Sequence, residues 1–337
     1  GQPAPFLGPD GRPLPGSISE KVRLTINGVE QGMFLRGRDR TRPVLLYLHG
    51  GLPDSFLEDQ YPTGLEDLFT VCWWEQRGAG LSFHPDLPRE SITVEQLVAD
   101  TLELTDQLRR RFGQDRIYLM GHSWGSFIGI QAAARAPERY SAYIGVAQMT
   151  NQLQSEKLAY DHMLQLAKAD GNTQLVRKLE AAPPAAAAPL PRAYMALRDE
   201  AMHSLGVGTT HDMKSVVTGV FVPTWQHPEY TLRERLNIWR GKWSPSSKAL
   251  WNEMLGTDIT VAVPALRLPT YFLHGVYDYT VAYPLTKAYF AQLRAPLKGF
   301  YSFEQSAHSP IFEEAEKTRK ILREDVLGGV TGLADRW

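Results

Sequence analysis

Residues 117–126 of this 337-residue chain read IYLMGHSWGS, and this stretch decides how the rest of the sequence is interpreted. Its first four residues are apolar or aromatic, as in a buried strand, and the residues from 126 onward have the character of a helix. Between them, GHSWG at 121–125 fits the pattern GxSxG. After a strand and before a helix, this pattern is typical of a nucleophile elbow, in which the glycines let the backbone pack tightly around a strained serine. The sequence therefore predicts that Ser123 is a nucleophile.

Buried strands and helices alternate on both sides of this stretch. An N-terminal hairpin is predicted from two alternating runs joined by Asn27 and Gly28, a dipeptide typical of tight hairpin turns. Further strands are predicted from apolar runs, and helices from amphipathic segments between them. The strands are predicted at 21–26, 30–35, 44–48, 69–74, 117–120, 143–146, 271–273 and 300–303, and the helices at 93–112, 126–136 and 312–326. The alternation predicts an α/β fold with a doubly wound, mostly parallel sheet.

The alternation also suggests how the chain is organised. Residues 1–17 are rich in proline and glycine and are predicted to form an extended tail. Residues 18–148 and 259–337 carry the two parts of the α/β core, because the strand–helix pattern is confined to them. Residues 149–258 contain helical segments and a proline- and alanine-rich loop at 181–191, and we interpret them as an inserted helical cap.

Composition narrows the possible partners and compartments. The chain has 36 Lys and Arg against 37 Asp and Glu, a formal net charge of -1, so nucleic acid is not an expected partner. Its one cysteine, Cys72, rules out an intrachain disulfide and a cysteine metal cluster. No apolar run approaches the roughly 18 residues of a membrane span. We expect a cytoplasmic protein, but a chain that begins at Gly1 leaves an exported or anchored form open. The oligomeric state is not predicted.

A serine hydroxyl needs a base to become an effective nucleophile. Behind a nucleophile elbow, the acid and then the histidine follow along the chain on loops after late strands. Asp278 follows the predicted strand at 271–273, and His308 is the histidine that follows the last predicted strand. The sequence thus predicts a triad of Ser123, His308 and Asp278, with Asp258 as the alternative acid.

Two backbone N–H groups are expected to stabilise the oxyanion that forms during acyl transfer. One is the N–H of Trp124, directly after the nucleophile. The second is expected from the glycines after the strand at 44–48, and we assign it to Gly51. The remaining histidines, including His122 and His274, are interpreted as structural, because none has metal-ligand spacing. No cofactor is implied.

Three segments resemble the proline iminopeptidase branch of the α/β-hydrolase superfamily: HGG at 49–51, EQRGAGLS at 75–82 and GHSWGS at 121–126. The resemblance covers about 29–148 and 259–326. It implies an α/β-hydrolase fold, the triad named above and a helical cap that governs the choice of substrate.

The chain departs from this family in two places. The family usually carries HGGPG at its oxyanion loop, where this chain has Leu52 and Pro53. The family's cap also carries a WxxWE signature whose glutamate binds the substrate's free amine, and here only WNE at 251–253 resembles it. These departures leave the fold and triad intact, but aminopeptidase specificity does not follow from the resemblance.

The sequence therefore predicts a cofactor-independent serine hydrolase that cleaves small to medium carboxylic esters, with amides left open. A proline iminopeptidase-like aminopeptidase acting on short peptides is the alternative, and a catalytically silent binding protein is a more distant one. Epoxide hydrolases and haloalkane dehalogenases are disfavoured, because those members of the fold use an aspartate where this chain has Ser123. Glu75 and Arg77 are expected to form a buried pair beside the elbow, with contact to the substrate as the alternative. The lining of the cap is expected to be apolar, with no unpaired carboxylate beside Ser123.

Overall fold

The computed structural model describes residues 1–213 and 217–337. Its centre is an eight-stranded sheet with the strand order β1-β2-β4-β3-β5-β6-β7-β8. The strands are β1 (Ile18–Ile26), β2 (Val29–Gly37), β3 (Val44–Leu48), β4 (Thr70–Trp74), β5 (Ile117–His122), β6 (Tyr140–Val146), β7 (Thr270–Gly275) and β8 (Lys298–Phe303). Every strand predicted from the sequence is present.

The sheet is antiparallel at one edge and parallel elsewhere. β1 and β2 form the predicted hairpin, in which Asn27 and Gly28 both have positive φ angles, 46° and 80°. β2 also pairs antiparallel with β4, whereas β3 to β8 pair in parallel. All residues of β3 and β4 are buried, because helices cover both faces of the sheet at this point.

The core helices lie on both faces of the sheet. The helices α2, α3 and α11 pack against one face, and the helices α1, α12 and α13 pack against the other. Their bounds are α1 (Leu65–Leu68), α2 (Val94–Phe112), α3 (Trp124–Arg135), α11 (Tyr283–Gln292), α12 (Pro310–Glu313) and α13 (Ala315–Ile321). This arrangement confirms the doubly wound α/β fold predicted from the sequence.

The helix ends follow local sequence signals in most cases. The Thr93 side chain accepts a hydrogen bond from Gln96 N at the start of α2, and Gly113 ends the helix with a φ of 63°. The final helix was predicted as one segment over 312–326, and this was wrong. It is interrupted near Glu314, where the backbone leaves helical geometry, and it ends in a π-helical turn, Leu322–Val326.

Helices also make up most of the chain between β6 and β7. They are α4 (Gln152–Ala169), α5 (Thr173–Glu180), α6 (Arg192–Ser204), α7 (Val222–Gln226), α8 (Leu232–Lys242), α9 (Pro245–Leu255) and α10 (Ile259–Ala262). We refer to α4–α9 and their connections as the cap helices. Among the described residues, no helix is both long and apolar enough to cross a membrane.

The N-terminal segment packs against the core although it forms no helix or named strand. The guanidinium of Arg36 lies 4.8 Å from the centre of the Phe6 ring. Ser19 Oγ donates a hydrogen bond to Ala4 O at 2.7 Å. The predicted extended tail is thus bound along the first hairpin.

Candidate active site

Ser123 lies in a strained turn between β5 and α3. Its φ and ψ angles are 56° and -119°, a region that residues with a side chain rarely adopt. The turn is held by a hydrogen bond from Ser123 N to Val146 O at 3.0 Å. The glycines on either side are required by space: a Cβ added to Gly125 would collide with Leu48 O, and one added to Gly121 would collide with Gly125 O. The Ser123 side chain is therefore fixed at the carboxyl edge of the sheet.

His308 and Asp278 form a buried hydrogen-bonded pair at the same edge. Asp278 follows β7 and His308 follows β8, and His308 Nδ1 lies 2.9 Å from Asp278 Oδ2. Burial alone would raise the pKa of Asp278, but the charge of His308 and hydrogen bonds from His274 and His308 lower it overall. Burial lowers the pKa of His308 more than Asp278 raises it. At neutral pH the pair thus combines a carboxylate with a neutral imidazole that can accept a proton.

His122 holds the His308 loop beside the elbow. Its Nε2 lies 2.6 Å from His308 O, and the centres of the two rings are 5.0 Å apart. Its Nδ1 lies 3.4 Å from Asp54 Oδ2, which also accepts a hydrogen bond from Tyr47 OH at 2.8 Å. Burial opposes protonation of His122, but Asp54 and the His308 carbonyl raise its pKa overall. His122 therefore orients the residue predicted to act as the base.

The described residues contain no hydrogen bond between Ser123 Oγ and the His308 imidazole. In structures without substrate, such catalytic hydrogen bonds are often long and become shorter in the complex. The structure thus brings the elbow serine and the His308–Asp278 pair to one edge of the sheet.

His274 is a second histidine in contact with Asp278. Its Nε2 lies 3.1 Å from Asp278 Oδ2 and 2.8 Å from Val281 O. From the sequence, His122 and His274 were interpreted as structural residues, and these contacts were not predicted. Their positions, directly before Ser123 and four residues before Asp278, were the available signals.

The two predicted oxyanion donors lie at the start of α3 and on the loop after β3. Trp124 is the first residue of α3, where backbone N–H groups have no partner within the helix. The loop that carries Gly51 follows β3 and passes close to the serine, since a Cβ added to Gly50 would lie 3.4 Å from Ser123 Cβ. Gly51 itself is exposed.

Gln76 connects the loop after β3 with Trp124, and this role was not predicted from the sequence. Its Nε2 donates to His49 O at 2.9 Å, and its Oε1 accepts a hydrogen bond from Trp124 Nε1 at 3.0 Å. Its backbone N–H donates to His49 Nε2 at 3.1 Å, which fixes the His49 tautomer, and burial lowers the pKa of this histidine to about 4. Gln76 is only 2% exposed, so little water is available to replace it.

Glu75 and Arg77 are both buried, but they do not form the pair predicted from the sequence. Glu75 accepts hydrogen bonds from Tyr230 OH at 2.5 Å and from Leu81 N at 2.7 Å, and burial raises its pKa to about 7. Arg77 instead binds Asp100, with Nε 2.7 Å from Oδ2. Glu75 is thus bound to Tyr230 and Arg77 to Asp100, and the two side chains do not bind each other.

The connection after α6 is hydrogen-bonded to the loops that carry Asp278 and His308. Gly208 O accepts a hydrogen bond from His308 N at 3.1 Å, and Val207 O accepts one from Tyr279 N at 3.2 Å. Glu313 accepts further hydrogen bonds from His211 N at 2.6 Å and from Ser309 N at 3.0 Å. Burial raises the pKa of Glu313 to about 7. The cap helices and the candidate base are therefore mechanically connected.

Glu156 on α4 and Asp199 on α6 are bound within the protein. Glu156 is fully buried and accepts hydrogen bonds from Tyr194 OH at 2.8 Å and from Arg198 Nη2 at 3.0 Å. Arg198 Nη1 also donates to Asp199 Oδ1 at 2.8 Å. Trp251, part of the segment compared with the family's cap signature, packs its ring against this guanidinium at 5.7 Å.

The predicted apolar lining of the cap is wrong at one position. A Cβ added to Gly51 would lie 3.0 Å from Lys242 Nζ, so the ammonium group of α8 lies against the predicted oxyanion loop. The alternative acid also has a different role: Asp258 caps α10, accepting a hydrogen bond from Thr260 N at 3.0 Å. Within residues 1–213 and 217–337, no group of three or more His, Cys, Asp or Glu side chains is arranged to hold a metal ion.

Comparison with known proteins agrees with the fold. Residues 43–315 match the family model described as the alpha/beta hydrolase fold. The chain is 30% identical over 310 residues to the probable aminopeptidase YbaC of Bacillus subtilis (strain 168), covering 88% of this chain and 93% of that protein. It is 23% identical over 290 residues to the proline iminopeptidase of Heyndrickxia coagulans, covering 83% and 88% of the two chains.

A solved structure shares the fold. The proline iminopeptidase-related protein of Thermus thermophilus superimposes with a TM-score of 0.60 at 18% identity, covering 93% of this chain and 99% of that one. The sheet order, the elbow after β5 and the matched family model agree with one another. The chain belongs to the alpha/beta hydrolase fold family and, within it, resembles the proline iminopeptidase branch.

Proposed function

We propose that this hydrolase is a cofactor-independent serine hydrolase that cleaves small to medium carboxylic esters through an acyl-enzyme. The observation that carries the proposal is the strained Ser123 at the start of α3 with the buried His308–Asp278 pair at the same edge of the sheet. Backbone strain of this kind clusters at functional sites, which favours a catalytic role for Ser123. A neutral, buried imidazole bound to a carboxylate is the form that a general base requires.

In the proposed reaction, Ser123 Oγ attacks the ester carbonyl while His308 Nε2 takes the serine proton. The N–H groups of Trp124 and Gly51 stabilise the oxyanion that forms. His308 then protonates the leaving alcohol, and an acyl-enzyme remains on Ser123. Water activated by the same imidazole releases the carboxylic acid and restores the serine. Asp278 keeps Nδ1–H of His308 oriented and stabilises the imidazolium that forms in each step.

An aminopeptidase is the second candidate, and the relatives named above favour it. Such an enzyme must bind a protonated amine next to the scissile carbonyl, and burying that cation without a partner would cost several kcal/mol. The cap carboxylates Glu156 and Asp199 already bind Arg198. The charge that contacts the oxyanion loop is the cation of Lys242, which would repel an ammonium group. These contacts support ester substrates over N-terminal amines.

The test is a panel that pairs p-nitrophenyl esters with aminoacyl- and prolyl-naphthylamides, together with labelling by a fluorophosphonate. We expect covalent labelling at Ser123 and higher kcat/KM for the esters. Ser123→Ala should lose labelling and about 10⁴- to 10⁶-fold of turnover without loss of fold. Turnover within tenfold of the parent in this variant would contradict the assignment of the nucleophile, and faster cleavage of the prolyl amides would favour the aminopeptidase.

A further inference from the structure

The C-terminal end of α8 is held close to the segment that follows β4. A Cβ added to Gly241 would lie 2.7 Å from Gly78 O, so only glycine permits this approach without a shift. The guanidinium of Arg240 also lies 4.9 Å from the centre of the Phe83 ring. These two contacts fix the backbone of the next residue, Lys242, in front of the candidate active site.

Lys242 extends from this fixed position to the oxyanion loop. Its Nζ would be 3.0 Å from a Cβ added to Gly51, and the neighbouring Gly50 lies beside Ser123. Among the described residues, Lys242 Nζ has no hydrogen bond and no ion pair within 4.0 Å. The side chain reaches solvent, yet protein surrounds it closely enough that burial lowers its pKa. An ammonium group in this position lacks the anion that would compensate its partial desolvation.

The nearest acidic group does not supply that anion. Asp199 interacts with the charge of Lys242, but its carboxylate is bound to Arg198 Nη1 at 2.8 Å. Arg198 in turn is held by the buried Glu156. These ion pairs on α4 and α6 keep Asp199 directed towards Arg198. Among the described residues, the ammonium group of Lys242 beside Gly51 therefore has no bound counterion.

We propose that Lys242 binds a carboxylate carried by the substrate, so that the preferred substrates are anionic esters. Half-esters of dicarboxylic acids and esters with a carboxylated leaving group are the two classes that meet this requirement. The inference rests on the proposed serine hydrolase function, because it assumes that the carbonyl of the substrate is bound between Ser123 and Gly51. It adds a specificity determinant on the cap that the family resemblance does not supply.

The experiment compares the parent enzyme with Lys242→Met, Lys242→Arg and the control Lys178→Met, an exposed lysine on α5. Two matched substrate pairs are used: mono-p-nitrophenyl glutarate against its methyl ester, and 4-acetoxybenzoate against 4-acetoxybenzamide. Spontaneous hydrolysis is subtracted for each. The parent should prefer the anionic member of at least one pair. Lys242→Met should reduce kcat/KM for that anion by about 10- to 100-fold, the value of a charged hydrogen bond, and leave its neutral partner within about twofold.

Lys242→Arg should retain most of the preference for the anion, and Lys178→Met should retain all of it. Raising the ionic strength should weaken the preference in the parent and have no such effect in Lys242→Met. Unchanged selectivity in Lys242→Met for both pairs would overturn the proposal. An equal loss for neutral and anionic esters would also overturn it, because it would make Lys242 an oxyanion stabiliser. If the parent hydrolyses no ester and resists the fluorophosphonate, the proposed function itself fails.

Discussion

Replacing Gln76 tests whether the geometry of the oxyanion loops depends on one buried side chain. Gln76→Met keeps the volume of the side chain but removes its hydrogen bonds to His49 O and Trp124 Nε1. Leaving a buried polar group unpaired costs about 1–3 kcal/mol, which applies in full to the buried His49 O, whereas the part-buried Trp124 Nε1 adds less. The folded protein can recover part of this free energy by moving either the Gly51 loop or the start of α3, and each carries a predicted oxyanion donor.

The consequence for activity follows from that movement. Loss of one oxyanion donor lowers kcat by about 10²- to 10³-fold in a serine hydrolase. We therefore expect Gln76→Met to reduce kcat by about 10²-fold with a smaller change in KM, because the donors act mainly on the transition state. The control is Gln107→Met on α2, which removes a hydrogen bond to Thr25 O far from the site.

The assay measures kcat on a p-nitrophenyl ester per fluorophosphonate-labelled site, and urea denaturation measures the free energy of unfolding of each variant. Normalising to labelled sites separates inactive protein from slow enzyme. Gln76→Met could lose about 2 kcal/mol or more of unfolding free energy while its kcat per labelled site stays within about threefold of the parent. In that case the hydrogen bonds of Gln76 to His49 and Trp124 have a purely structural role. That result would refute the argument that Gln76 aligns the two donors.

Three further predictions follow from the buried charges. Because burial lowers the pKa of His308, its neutral form persists to lower pH. We therefore expect kcat/KM to fall on the acid side with a midpoint below about 6.5. A midpoint above about 7 would contradict this. Asp278→Asn should lower kcat by about 10⁴-fold. It should also shift the acid midpoint to lower pH, since Asp278 raises the pKa of His308. An unshifted midpoint in the residual activity would count against the pairing of Asp278 with His308. Asp100→Ala leaves Arg77 buried without its partner and should cost about 3–5 kcal/mol in urea denaturation, whereas a loss below about 1 kcal/mol would show that water replaces the carboxylate.

Strands buried on both faces were predicted best. β3 coincides with its apolar run at 44–48, because burial on both sides leaves no polar position within it. β1 and β6 extend beyond the predicted runs, since their first residues include half-buried polar side chains such as Ser19 and Ser141 that blur the pattern. The break between α12 and α13 has no local signal of comparable strength, and a continuous helix was predicted there.

In the candidate site, too, residues marked by a local sequence pattern were predicted, and residues that depend on long-range contacts were missed. Ser123, Asp278 and His308 were predicted as a triad because each follows a buried strand, and the parallel sheet brings those strand ends to one edge. The role of Gln76 was missed because it depends on hydrogen bonds to His49 and Trp124, which lie 27 and 48 positions away along the chain. No spacing within the motif at 75–82 indicates which of its buried polar residues contacts which loop.

The cap was the least predictable part, since its contacts with the candidate base are made largely by backbone groups. Gly208 O binds His308 N and Val207 O binds Tyr279 N, so the segment after α6 contacts the loops of both the base and its acid. A backbone carbonyl has no side-chain signature, and these contacts could not be inferred from composition or periodicity. The same cap carries Lys242 at the oxyanion loop. Changes in the segment after α6 are therefore expected to displace the imidazole and lower the rate for all substrates, whereas Lys242→Met on α8 should change substrate choice alone.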